Sequence, residues 1–176
     1  MEIIKQAEAA PSSYPTTATY TGSLLNDIAW QRVESYIASR YTSRDVTWIV
    51  EGPGEWVPPL KPATISTVEI WNGAGWDDCT PDASPLGGYV LTGCGPYRFV
   101  GTVGGGSPAP TVPDIVWEAV KRLAGYLSAK TGTPGATSES LSAGSISIAT
   151  RRSESWMAQA MQNSGAADLL RAYRKV

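Results

Sequence analysis

Two stretches with the spacing of a one-sided helix bracket a long segment written in a different pattern, and any fold of this chain must reconcile them. In the first, Leu24, Leu25, Ile28, Ala29, Val33, Tyr36 and Ile37 recur on a single helical stripe, with Ser23 placed to cap it. This predicts a helix over residues 23–42. In the second, Ile115, Val116, Ala119, Val120, Leu123, Ala124 and Leu127 repeat the same stripe, and Pro113 suits a first turn. That predicts a helix over residues 112–130, weakened at Gly125 by about 1 kcal/mol relative to alanine. A helix with one apolar stripe must cover it, so the two are expected to pack together, with the intervening segment inserted between them in sequence.

The insertion, residues 45–110, reads as β-structure. DVTWIVEG, ATISTVEIW, GGYVLTG and PYRFVG are short runs rich in Val, Ile, Thr and aromatic residues, separated by Gly, Pro, Asn and Asp. A small antiparallel sheet follows, and the fold class is α+β. Four prolines and two glycines in EGPGEWVPPLKP (51–62) predict a rigid irregular loop or an edge element. Asn72-Gly73 after the run ending at Trp71 signals a hairpin, and GTVGGGSPAP (101–110) has the composition of a linker. The chain thus divides into an extended N-terminal arm (1–22), rich in Ala, Ser, Thr and Pro and without periodicity, a core domain (23–130), and a C-terminal arm with docking helices (131–176).

That last part is a docking device rather than a catalytic one. The Ser/Gly-rich stretch TSESLSAGSISIATRR (137–152) buries too little apolar surface to offset its own ordering. Within it, Ser145-Ile146-Ser147-Ile148 alternates and can add to a neighbouring sheet edge, which with Arg151 and Arg152 suggests an inter-subunit arm. Two short helices follow, over 154–163 and 166–173, interrupted at Gly165. Trp156, Leu169, Leu170 and Tyr173 have no partner in so polar an arm and are expected to dock on another protein, together with the cationic tip Arg171, Arg174, Lys175 and the terminal Val176. Charge agrees: residues 1–110 carry eleven acids and six bases, residues 111–176 five acids and eight bases. The basic end points to an acidic surface or a phosphate backbone, although cations at a helix C-terminus are also ordinary helix design.

Much chemistry is disfavoured. The chain has no histidine, which removes the commonest general base and the Ser-His and Cys-His nucleophile pairs. Cys79 and Cys94 sit among turn-forming residues and read as two thiols, not as a bridge or a metal set. GTVGGGS lacks the Lys-Ser/Thr of a phosphate loop, and Asp77 and Asp78, adjacent in sequence, read as turn residues. No cofactor or metal is expected, and no enzymatic activity. Four of the seven tryptophans, Trp48, Trp56, Trp71 and Trp76, lie in the β-rich segment and read as core and interface anchors. No apolar run is long enough to span a bilayer, and MEIIKQAEAA has no signal-peptide core, so synthesis and use in a cytoplasm, or in a particle assembled there, is expected.

The order of elements, the helix opening VPDIVWEAV, the S-E-S…G-S-I-S-I arm at 138–148 and the ending Ser164-Gly165-Ala166, Leu169-Leu170, Tyr173-Arg174 resemble the head–tail adaptor (connector) proteins of long-tailed bacteriophages and gene transfer agents. The resemblance covers residues 24–44 and 111–176, and the β-segment loosely. It implies a virion protein forming a ring of twelve subunits below a portal protein. The C-terminal segment would enter the portal, the opposite face would receive the next tail-side connector or stopper, and double-stranded DNA would pass through the lumen without sequence-specific contact. An alternative from another class is a carbohydrate- or surface-binding β module with helical extensions, suggested by the tryptophans; it leaves the two amphipathic helices and the cationic end unexplained. A hydrolase would have only carboxylates or lysines to work with.

Overall fold

The computed structural model describes residues 1–16, 24–129, 138–143, 146–151, 156 and 158–174. They belong to two compact units, one formed by Met1–Tyr20 with Ala38–Thr111 and the other by Thr21–Ile37 with Val112–Val176. The predicted Ser23 cap lies outside the described residues.

The first unit is all β. Its strands are β1 (Glu2–Glu8), β2 (Arg44–Glu51), β3 (Gly54–Trp56), β4 (Ala63–Trp71), β5 (Trp76–Asp78), β6 (Asp82–Ala83), β7 (Tyr89–Leu91) and β8 (Tyr97–Val103). Five form an antiparallel sheet in the order β1-β2-β8-β4-β5, and three a small sheet in the order β3-β7-β6. The period-two pattern of the sequence sets the faces. Val46, Trp48 and Val50 of β2 and Tyr97, Phe99 and Val103 of β8 are buried, with Trp48 opposite Phe99 in register. Trp56 closes this core, its ring 4.0 Å from that of Phe99 and edge-on to Trp48 at 5.7 Å. The Pro-rich segment therefore supplies a core aromatic as well as the edge strand β3. The Asn72 hairpin forms, pairing Trp71 with Trp76, and Asn72 Oδ1 accepts from the amides of Ala74 and Gly75. The expected linker begins only at Gly104, since Gly101–Val103 complete β8. At Gly104 φ is +73°, and a Cβ there would lie 2.3 Å from the Thr42 carbonyl oxygen, so only glycine fits.

The extended N-terminal stretch begins with a strand of this sheet. β1 pairs with β2 from Glu2 to Glu8, with a bulge between Ile3 and Lys5, and is fastened at its end, where the carboxylate of Glu8 accepts from the guanidinium groups of Arg40 and Arg44. Trp48 Nε1 donates to Gln6 Oε1 at 2.9 Å, and the Ala9 amide to the Asp45 carbonyl at 2.9 Å.

The second unit holds the helices. α1 (Leu24–Ile37) buries Ala29, Trp30, Val33, Glu34 and Ile37. It stops short of the expected residue 42 because Ala38 adopts a left-handed φ of +54°. The chain there turns to pair with the 61 segment, Arg40 N donating to the Lys61 carbonyl at 2.8 Å and Lys61 N to the Ala38 carbonyl at 3.1 Å. α2 (Asp114–Ser128) buries Val116, Ala119, Val120, Leu123, Ala124 and Leu127, and it packs on α1 as the two stripes require. Trp30 meets Trp117 edge-on at 5.0 Å. Strands β9 (Ser138–Ala143) and β10 (Ile146–Arg151) form an antiparallel hairpin. Two short helices, α3 (Ala160–Asn163) and α4 (Ala166–Leu169), follow, then a 3-10 turn over Arg171–Tyr173. Gly165, at φ +75°, makes the break between them.

Candidate interface at the C-terminal segment

Residues expected to dock elsewhere are partly used at home. Leu170 is fully buried in the helical unit, as are Ala160 and Ala166, and α3 and α4 both pack on α2. Of the stripe expected to face a partner, Leu170 lies on the inner face of the unit's last turns and has no surface to offer. Trp156 is half-buried, its ring 5.7 Å from that of Tyr126, and the Tyr126 hydroxyl accepts from Asn163 Nδ2 at 3.1 Å. Its aromatic partner lies within the chain.

What faces outward is the other side of the same segment. Leu169 is half-buried, while Arg171, Tyr173 and Arg174 are exposed. Arg171 approaches Asp168 only at 4.0 Å, with both side chains more than four-fifths exposed, a contact too solvated to hold it. The Arg174 guanidinium lies over the Tyr36 ring at 5.4 Å, so the tip rests lightly on α1. An open groove of about 510 Å³ lies between α1 and the α3 region, lined by Gln31, Arg32, Ser35, Tyr36, Ala158 and Met161. The result is a cationic, aromatic surface on a rigid apolar support. Lys175 and Val176 lie outside the described residues.

Of the suggested inter-subunit arm, Ile146, Ser147, Ile148 and Arg151 belong to β10, and Ser145 and Arg152 lie outside the described residues. The alternating piece pairs first with β9 of its own chain, Ile146 opposite Ala143 and Ile148 opposite Leu141. One edge of β10 is thereby taken.

The electrostatics elsewhere are those of ion pairs. Burial would raise the Glu8 carboxyl, but the hydrogen bonds and charges of Arg40 and Arg44 prevail and hold it below its ordinary value. Hydrogen bonding from Arg98 lowers Glu69, and from Arg122 lowers Glu118. Burial raises the Cys79 thiol, with Asp78 and Glu69 adding to the effect. Carboxylates held down and a thiol held up are the reverse of what a general acid or a thiolate nucleophile needs. Asp77 and Asp78, expected in a turn, instead belong to β5 and pair with β4, and Asp77 accepts from Asn72 Nδ2 at 2.7 Å. Cys79 is half-buried and Cys94 exposed, both free. Among the described residues no three His, Cys, Asp or Glu side chains converge on a metal site, and no helix is long and apolar enough to cross a membrane. The tryptophans offer little stacking platform: Trp48 and Trp56 are buried, Trp76 lies under the Arg98 guanidinium at 4.6 Å, and Trp71 is 39% exposed. Sequence reasoning missed the Glu8, Arg40 and Arg44 cluster, whose members lie 32 and 36 positions apart and carry no local signal.

No protein-family model matches the chain, and no curated protein does either. Solved structures do. A chain from the neck of a native gene transfer agent particle, computed with C12 symmetry, superposes with a TM-score of 0.52 at 14% identity, covering 86% of this chain and 80% of that one. A chain from the virion of a native gene transfer agent particle superposes with a TM-score of 0.53 at 16% identity, covering 93% and 84%. This chain shares their fold.

Proposed function

We propose that this protein is a structural component of a virion neck: a head–tail adaptor whose copies form a ring of twelve below a portal protein. The opposite face would receive the next tail-side connector or stopper, and double-stranded DNA would pass through the lumen without sequence-specific contact. Assembly would take place in the host cytoplasm. The observation that carries this reading is the fold match along most of the chain to proteins of such a particle, one of them in a neck assembly of twelvefold symmetry. The architecture suits the task. A ring needs heterologous contacts between copies and a presented end for its neighbour, and it needs no reaction, cofactor or metal.

In this reading the portal meets Leu169, Arg171, Tyr173 and Arg174, with Lys175 and Val176 beyond them, while Leu170 and Trp156 support the segment from behind. Reversing charge with Arg171→Glu/Arg174→Glu should weaken binding to purified portal rings about tenfold near physiological salt, with helix content unchanged. Exposed charges are screened within about 8–10 Å under those conditions, so the wild-type advantage should shrink as salt rises. Superimposable binding curves for the two proteins across the salt series would show that the basic tip is only a solvated helix end.

A further inference from the structure

Two features of the chain each lack what the other supplies. β1 is the outermost strand of the five-stranded sheet, and its outer edge pairs with nothing among the described residues. Its guards are a bulge between Ile3 and Lys5 and the charges of Glu2, Lys5 and Glu8, and they leave an apolar end. Met1, Ile3 and Ile4 are 50%, 40% and 53% exposed, an apolar cluster at an open edge of the kind that recruits another strand. The second feature is the hairpin of β9 and β10, which among the described residues forms a sheet of two strands. Such a hairpin is marginal in water until a third strand or a packed face is added.

We infer that the outer edge of β1 receives β10 of a second copy of this chain, so that the hairpin of one subunit extends the sheet of the next. Strand lengths match, seven residues in β1 and six in β10, and neither contains a proline, so each residue has an amide to donate. Charge does not oppose the pairing: β10 ends in Arg151, while β1 carries Glu2, Lys5 and Glu8. β10 is preferred over β9, whose strand carries Glu139 and a single leucine. Because the donor and acceptor surfaces differ, each copy offers both, and the contact propagates head to tail until it closes. The inference rests on the ring reading above and gives that ring its inter-subunit joint.

The test uses the full chain in a Cys94→Ser background. One preparation carries Lys5→Cys and the other Ser147→Cys; they are mixed, assembled, and treated with a short bis-maleimide that tolerates a slip of register. The expected result is a cross-linked pair of chains in the mixture, at least tenfold above either preparation alone. Ile4→Glu should reduce that product by a similar factor while leaving the unfolding midpoint in place. Rings seen by electron microscopy without the mixed cross-link would overturn the inference and leave the ring reading standing. A cross-link in the Lys5→Cys preparation alone would mean that β1 pairs with β1, which also overturns it. Absence of both rings and cross-link counts against the inference and the ring reading together.

Discussion

Leu170→Ala is expected to destabilise the helical unit by about 2–5 kcal/mol, the range for emptying a buried leucine site whose surroundings relax only in part. Leu170 is fully buried beside Ala166 and Ala160, in a segment that packs on α2, so the deletion leaves a cavity in the support of the whole C-terminal segment. In a chain of this length the loss corresponds to roughly 4–20 °C in melting temperature. A residue whose apolar side met only a partner would behave differently: the isolated protein would melt as wild type, and only portal binding would fall. Thermal unfolding followed by circular dichroism separates the two, and an unchanged midpoint would return Leu170 to the interface. The same geometry makes removal of residues 164–176 destructive, because it takes Ala166 and Leu170 out of the core together.

The second large effect is expected at Glu8. Its side chain is 20% exposed, and those of Arg40 and Arg44 only 7% and 5%, so three charges share a largely desolvated site at the end of β1. Glu8→Gln keeps the shape and removes one countercharge that two buried cations share. Breaking a buried ion pair from one side costs about 3–5 kcal/mol; partial exposure of Glu8 places the expectation at the lower end, about 2–4 kcal/mol of the β unit's stability. Arg40 still donates to the Ser39 carbonyl and Arg44 to the Thr42 carbonyl, which limits the loss. The sign with pH follows from the depressed carboxyl. Its contribution is complete above the unfolded value of 4.5 and is lost as pH falls through the lower folded value. Wild type and Glu8→Gln should therefore differ most at neutral pH and converge in acid. Parallel stability curves down to the acid limit would show that Glu8 does not carry the clamp.

The sequence was most legible where one periodicity ran long enough to determine a buried face. The stripe of α2 is buried from Val116 to Leu127, and Val46, Trp48 and Val50 alternate into the core as the β2 pattern requires, whereas on α1 Ala29, Val33 and Ile37 are buried but Leu25 is exposed. The Asn72 hairpin was legible because its turn chemistry is local. β1 was not: EIIKQAE has no alternation, since nearly every residue of the strand is exposed, and its partner comes from far along the chain. Where α1 stops was hidden because Ala38 ends it in a left-handed conformation set by pairing with Lys61 rather than by its own preference. Leu169, Leu170 and Tyr173 were recognisable as a stripe, but a stripe states only that burial is needed and not which chain provides it. The fold inside the helical unit answered for Leu170, and the exposed Arg171, Tyr173 and Arg174 remain for a partner.

Electron microscopy of the purified protein, alone and mixed with portal rings, tests the adaptor reading most directly. Closed rings of twelvefold symmetry are expected, seated on one end of the portal, with the C-terminal segment at the contact and an open lumen along the axis. Dispersed single chains that leave the portal bare, at concentrations well above those of the portal rings, would contradict it.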